Sequence, residues 1–199
     1  MRTHLNYQRL AFSSDRMEGE AAAWRCERTL DGQGSDVLCV ASWEGYVASG
    51  SRDGRIRVWA AETWGLEQAL RGHRGCVLAL AVSGRRLISA SADRTLRVWS
   101  AATWGCVRTV EVSAGGSLLY INTLAVSGSR LVGGTCSAPF TGKFFASEPN
   151  VLRVWDAETL EPLHTLGLPD GKALRALLQD RGEVWGAAGK HAVVWGRRW

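Results

Sequence analysis

The chain has 199 residues, 46% of them hydrophobic, with 24 basic and 19 acidic side chains and a formal net charge of +5. That composition suits a folded domain with a substantial core rather than a disordered polymer, and no apolar stretch approaches the roughly 20 residues of a membrane-spanning helix. Cys26, Cys39, Cys76, Cys106 and Cys136 include no close pair of the kind that a zinc site or a redox motif needs, so neither a metal nor a cofactor is expected.

Residues 1–23 read as a disordered tail. The opening MRTHLNYQRLAFSSDR is basic and lacks the apolar central run of a secretory signal, which makes the cytosol, with the nucleus as second choice, the expected location. From residue 24 to 199 the chain reads as one domain of repeats, about 25–64, 65–104, 105–160 and 161–199. Arg25 to Leu30 reads as a first strand. Tyr46 to Trp59 and Arg86 to Trp99 each contain a β-rich run, a polar turn and a second run ending in Trp, and Val151 to Asp156 matches the end of that unit. Gly65 to Leu70 opens a further strand, and after Gly72-His73 the apolar run Cys76 to Val82 begins the next. The beat is set by tryptophan: 40 residues separate Trp59 from Trp99 and Trp155 from Trp195, and 56 separate Trp99 from Trp155. A period near 40 with four short strands per unit is the signature of a repeat architecture. Trp24, Trp64 and Trp104 repeat at the same interval and are expected to begin the outermost strands on the opposite face from the polar turns, where Leu160 takes the fourth place; a row of exposed aromatics and a tuck over the adjoining turn are the two readings. Cys26, Cys39, Cys76 and Cys106 fall in expected strands, as small hydrophobes, and Cys136 in an expected loop.

Gly72-His73, the turn Ser91 to Asp93, and Trp155-Asp156 in this register resemble the WD-repeat β-propellers, over nearly the whole of residues 24–199. The departures are that only Trp155 is followed by Asp and only the second repeat has the Gly-His pair. The resemblance implies an all-β propeller of four-stranded antiparallel blades, and a buried network in which a loop His bonds a turn Asp while a strand Ser and the closing Trp extend the chain. His73, Ser89, Asp93 and Trp99 fit that network in the second repeat. The first keeps Ser49, Asp53 and Trp59, with Gln33 in place of the His, and the third retains Trp155 and Asp156. The second blade is accordingly expected to be the firmest. In this family the first strand completes the last blade, so Arg25 to Leu30 is expected beside the final repeat. Four blades are few for the family, and a small closed ring, a half-ring that closes by homodimerisation, and an open arc of a longer propeller are the three readings.

The long middle interval is explained by two insertions, one at Glu111 to Ser117 and the larger at Thr135 to Asn150, TCSAPFTGKFFASEPN. In a propeller both emerge on one face. Phe140, Phe144 and Phe145 beside Lys143 make the larger insertion a candidate partner-binding knob, against the alternative that the rings cover a neighbouring blade. Arg52, Arg74 and Arg94 flank the turn aspartates or follow the Gly-His pair, and form a candidate arc for an acidic or phosphorylated peptide, against the alternative of solvated turn charge. Arg55, Arg57, Arg97 and Arg153 are expected to lay their stems over apolar strand surface.

Ser89 lies inside a strand rather than at the exposed elbow that a nucleophile needs, and no P-loop, metal-ligand spacing or acid-base carboxylate pair is present, so no catalytic residue is assigned. The function expected is a scaffold or adaptor that binds other proteins or peptides through the propeller rim. A substrate-recognition module of a ubiquitin-ligase assembly is the narrower alternative. A nucleic-acid-binding module ranks below both, because the charge is spread without a dense basic run.

Overall fold

The structure, a computed structural model, describes residues 28–32, 34–112, 119–136, 149–168, 173–180, 183–188 and 191–195. The expected tail, residues 1–23, lies outside the described residues, and the chain divides after residue 32, with residues 33–199 as the second unit. The second unit is all-β and is built as four blades. Blade 1 contains β1 (Val37–Trp43), β2 (Tyr46–Ser51), β3 (Ile56–Ala60) and β4 (Leu66–Leu70); blade 2 contains β5 (Val77–Ser83), β6 (Arg86–Ser91), β7 (Thr95–Ser100) and β8 (Cys106–Glu111). Blade 3 contains β9 (Tyr120–Ser127), β10 (Arg130–Cys136), β11 (Val151–Asp156) and β12 (Pro162–Gly167), and blade 4 contains β13 (Leu174–Asp180), β14 (Glu183–Ala188) and β15 (His191–Trp195). Within each blade the strands pair antiparallel in chain order.

These runs form strands because β-branched and aromatic residues alternate with smaller ones between turns built on Gly, Ser and Asp. Blade 2, flanked on both sides, buries both faces of its inner strands, which accounts for the nearly continuous apolar character of β5 and β6. Three clusters hold the blades together in sequence. Ala48, Ile56 and Val58 of blade 1 meet Leu80, Leu87 and Trp99 of blade 2. Ile88, Leu96 and Val98 of blade 2 meet Leu124, Leu131 and Trp155 of blade 3. Val132, Leu152 and Val154 of blade 3 meet Leu174, Val184 and Trp195 of blade 4. The innermost strands follow the same order, β1 on β5, β5 on β9 and β9 on β13, and β13 makes at most marginal contact with β1. The blades thus form an arc that starts at β1 and ends on the far face of blade 4.

Three expectations change. Residues 28–30 carry no strand, residues 25–27 lie outside the described residues, and among the described residues blade 4 has three strands. Outermost strands are the least specified by the core: every residue of β12 is exposed and β8 is nearly so, which leaves a lone outermost strand little apolar burial to fix it. Trp64, Trp104 and Leu160 do not begin strands but occupy left-handed positions with φ of 59°, 56° and 54°, each closing a tight turn by donating its amide to the residue four back. Finally, Cys76 precedes β5, Cys106 is exposed at the start of β8, and Cys136 ends β10 instead of lying in a loop; Cys26 is outside the described residues.

Candidate functional site

The polar centre of blade 2 is assembled from three segments. The loop between β4 and β5 supplies His73, β6 supplies Ser89, and the β6–β7 turn supplies Asp93. His73 Nδ1 lies 2.9 Å from Asp93 Oδ2, and His73 Nε2 lies 2.7 Å from Ser89 Oγ. Trp99 Nε1 donates to the same Ser89 oxygen at 2.9 Å, and its ring meets His73 edge-on with centroids 6.2 Å apart. Asp93 also accepts from the Arg74 amide at 2.9 Å and from the Thr95 amide and hydroxyl at 3.0 and 2.7 Å. Burial raises the Asp93 pKa, but the hydrogen bonds from His73, Thr95 and the Arg74 amide, with the charge of His73, outweigh it and hold the carboxyl well below the usual range. Ser89 is fully buried. Its oxygen is occupied by a histidine and an indole, inside a β-strand, which is a structural arrangement and leaves no route for a substrate to reach it.

Blade 1 solves the same problem with different chemistry. Trp59 Nε1 donates to Ser49 Oγ at 3.1 Å, as in blade 2. Gln33, at the position of the missing His, lies outside the described residues, and Asp53 is instead met by Arg57, whose Nη2 donates to Oδ2 at 2.9 Å. Arg57 is buried, so it does more than lay its stem over apolar surface. Burial raises the Asp53 pKa, and the bonds from Arg57 and the Arg55 amide more than offset that and lower it. The signal was present in the sequence as an aspartate and an arginine four residues apart across a turn that lacks its histidine. In blade 3, Gly133 takes the Ser position, where a Cβ would come within 2.9 Å of the Trp155 ring. Asp156 stands at the opposite end of the blade and caps a turn, accepting from the Glu158 and Thr159 amides at 2.9 and 2.8 Å. It therefore does not join a His–Ser–Asp chain.

The β2–β3 and β6–β7 turns and the His73 loop share one face. They also touch: a Cβ on Gly54 would stand 3.1 Å from the His73 carbonyl oxygen. Arg52 and Arg74 are exposed on this face. Arg52 forms an exposed ion pair with Asp36 at 3.3 Å, which is worth little and is easily exchanged for a ligand. Arg94 adopts φ 67° at the position 40 residues after Gly54, which has φ 78°. Phe140, Lys143, Phe144 and Phe145 lie outside the described residues, as does 113–118. The flanks that carry both insertions, the end of β8 to the start of β9 and the end of β10 to the start of β11, lie at this same end of the blades.

On the opposite face two arginines bridge neighbouring blades. Arg86 of blade 2 donates to the Glu158 carbonyl of blade 3 at 3.1 Å, and Arg108 bonds the Thr159 carbonyl. Trp104 packs edge-on against Tyr46 and Trp43 of blade 1, with centroids 5.2 and 6.0 Å apart, so the tuck over a neighbouring turn holds for that residue. Cys39 is likewise inert: burial pushes its thiol up to about 12, partly opposed by a bond from Gly50.

Repeated antiparallel blades, three of them four-stranded and closed by a buried Trp, and one of these carrying the full His–Ser–Asp–Trp chain, define a β-propeller of the WD type. A family model described as WD domain, G-beta repeat matches residues 24–60 and 64–100, so the chain carries two WD40 repeats in its first half. Solved structures with a similar fold include the computationally designed Ika4 protein, at 27% identity and a TM-score of 0.65 over 84% of this chain and 95% of that one. The computationally designed Ika8 protein is similar at 28% identity and a TM-score of 0.63, over 85% of this chain and 48% of that one. The RRP9 WD40 repeats, at 19% identity and a TM-score of 0.67, match 85% of this chain and 53% of theirs, a likeness of fold alone. The chain thus spans about half the length of the latter two. No curated protein matches it.

Proposed function

We propose that this chain is a non-catalytic scaffold of the cytosol or nucleus that binds a protein partner through the face carrying the β2–β3 and β6–β7 turns and the His73 loop. The observation that carries this reading is Arg94. A side chain at φ 67° costs about 1–2 kcal/mol relative to an unstrained position, and the equivalent turn of blade 1 uses glycine. An arginine kept at a strained position on a rigid turn, with Arg52 and Arg74 on the same face, is what a site for carboxylate or phosphate groups requires. The network beneath it has no accessible nucleophile, which favours recognition over chemistry. The narrower reading, a receptor for an acidic or phosphorylated peptide, rests on the same arginines.

Arg94→Gly gives the test a sign that a purely structural role would not produce. The variant is expected to be more stable by about 1 kcal/mol in denaturant titration while losing partner capture. Together with Arg52→Ala and Arg74→Ala, the loss should deepen. Capture unchanged in the triple variant would remove this face as the binding surface.

A further inference from the structure

Each blade junction in the arc follows one rule: the row of side chains on the leading face of a blade is covered by the trailing face of the next. Cross-strand register identifies the row. It runs Ile88–Val98 in blade 2 and Val132–Val154 in blade 3, and these residues are between 0% and 7% exposed. The same register in blade 4 pairs Leu178 with Trp185 and Trp185 with Val194. There the row is open: Leu178 is 52% exposed, and Trp185 and Val194 are each 43% exposed. The strict alternation of β14, exposed at Trp185 and Ala187 and buried at Val184, Gly186 and Ala188, shows one covered face and one uncovered face.

At the other end of the arc the trailing face of blade 1 is only partly covered: its closing Trp59 is 4% exposed, but the innermost strand is open. Val40 is 67% exposed, whereas its counterparts Leu80 and Leu124 are each 8% exposed against the preceding blade. Trp64 is 41% exposed, whereas Leu160, at the same point of the third repeat, is 2% exposed in the cluster shared with blade 2. An open apolar leading face and a partly open apolar trailing face therefore stand on the same chain. They are complementary by the rule that the three internal junctions obey, and β13 does not close on β1 within the chain.

We propose that a second copy of this chain covers both ends, with blade 4 of each copy seated on blade 1 of the other, giving a closed ring of eight blades. The contact is head-to-tail between unlike faces, and two of them related by a twofold axis exhaust the open surfaces. Eight blades lie within the span that propellers close, and the chain superposes on 48% and 53% of two longer chains of similar fold.

The test is the molar mass of the full chain by light scattering on a sizing column, with Leu178→Glu and Val40→Glu alongside. Both sites are exposed, so far-UV circular dichroism should remain that of the parent. The parent is expected at twice its 21.6 kDa chain mass, and each variant at the single-chain mass. An equimolar mixture of the two variants retains one intact junction, and should recover part of the dimer. A monomeric parent would overturn the proposal, as would larger open assemblies, or a Val40→Glu variant that stays fully dimeric because like faces pair with like.

Discussion

At the scale of single residues, the chain shows how one buried problem is met by two side chains. The turn aspartate of each early blade faces the protein interior, where an unpaired polar group costs about 1–3 kcal/mol. Blade 2 supplies His73 and blade 1 supplies Arg57. The histidine chain was legible because four residue types recur at fixed offsets. The arginine was not, because an Arg at the same strand position recurs in blades 1, 2 and 3 with different duties: Arg57 pairs with Asp53, Arg97 lies against Gly72, and Arg153 bonds the Val112 carbonyl. Position names the residue type and leaves its partner open. Because the Asp93 carboxyl is held below its usual range in the fold, its contribution is complete above the unfolded value of about 3.9 and is lost as pH falls toward the folded one. Asp93→Asn should therefore be less stable than the parent at pH 6, and the gap should narrow steadily on acidification below about pH 4. A gap constant with pH, measured by urea titration, would mean that the charge of Asp93 contributes nothing.

At the scale of strands and blades, the 40-residue interval places strands reliably where a core enforces them. Inner strands such as β5 and β6, buried on both faces, announce themselves by apolar content. Outermost strands do not, and of the run Arg25 to Leu30, which has the right phase, the described residues 28–30 carry no strand. Glycines mark where blades approach most closely. A Cβ on Gly134 would stand 2.7 Å from the Leu174 Cβ across the junction of blades 3 and 4, and Leu174 is fully buried. Gly134→Ala should cost about 1–3 kcal/mol through overpacking, and should act on that junction first. Hydrogen exchange is expected to quicken in β13–β15 well before β5–β7. Uniform quickening across the blades would place the strain elsewhere.

At the scale of the whole molecule, the pattern within each repeat says how a blade meets its neighbour and nothing of how many blades meet. Trp185 reads as one more strand tryptophan, and its exposure follows only from the absence of a fifth blade on the described arc. The two faces of the propeller differ in the same way. One carries the strained Arg94 and exposed Arg52 and Arg74, while the other spends Arg86 and Arg108 on carbonyls of blade 3. The central claim is that partners are held by the first of these faces. It is tested most directly by placing a photo-crosslinking amino acid at position 71, exposed in the His73 loop, or at position 85, exposed on the opposite face, and irradiating the full chain in cell extract. Discrete partner adducts from position 71, absent from position 85, are the predicted result. Adducts from position 85 alone would move the binding surface to the other face and contradict the account.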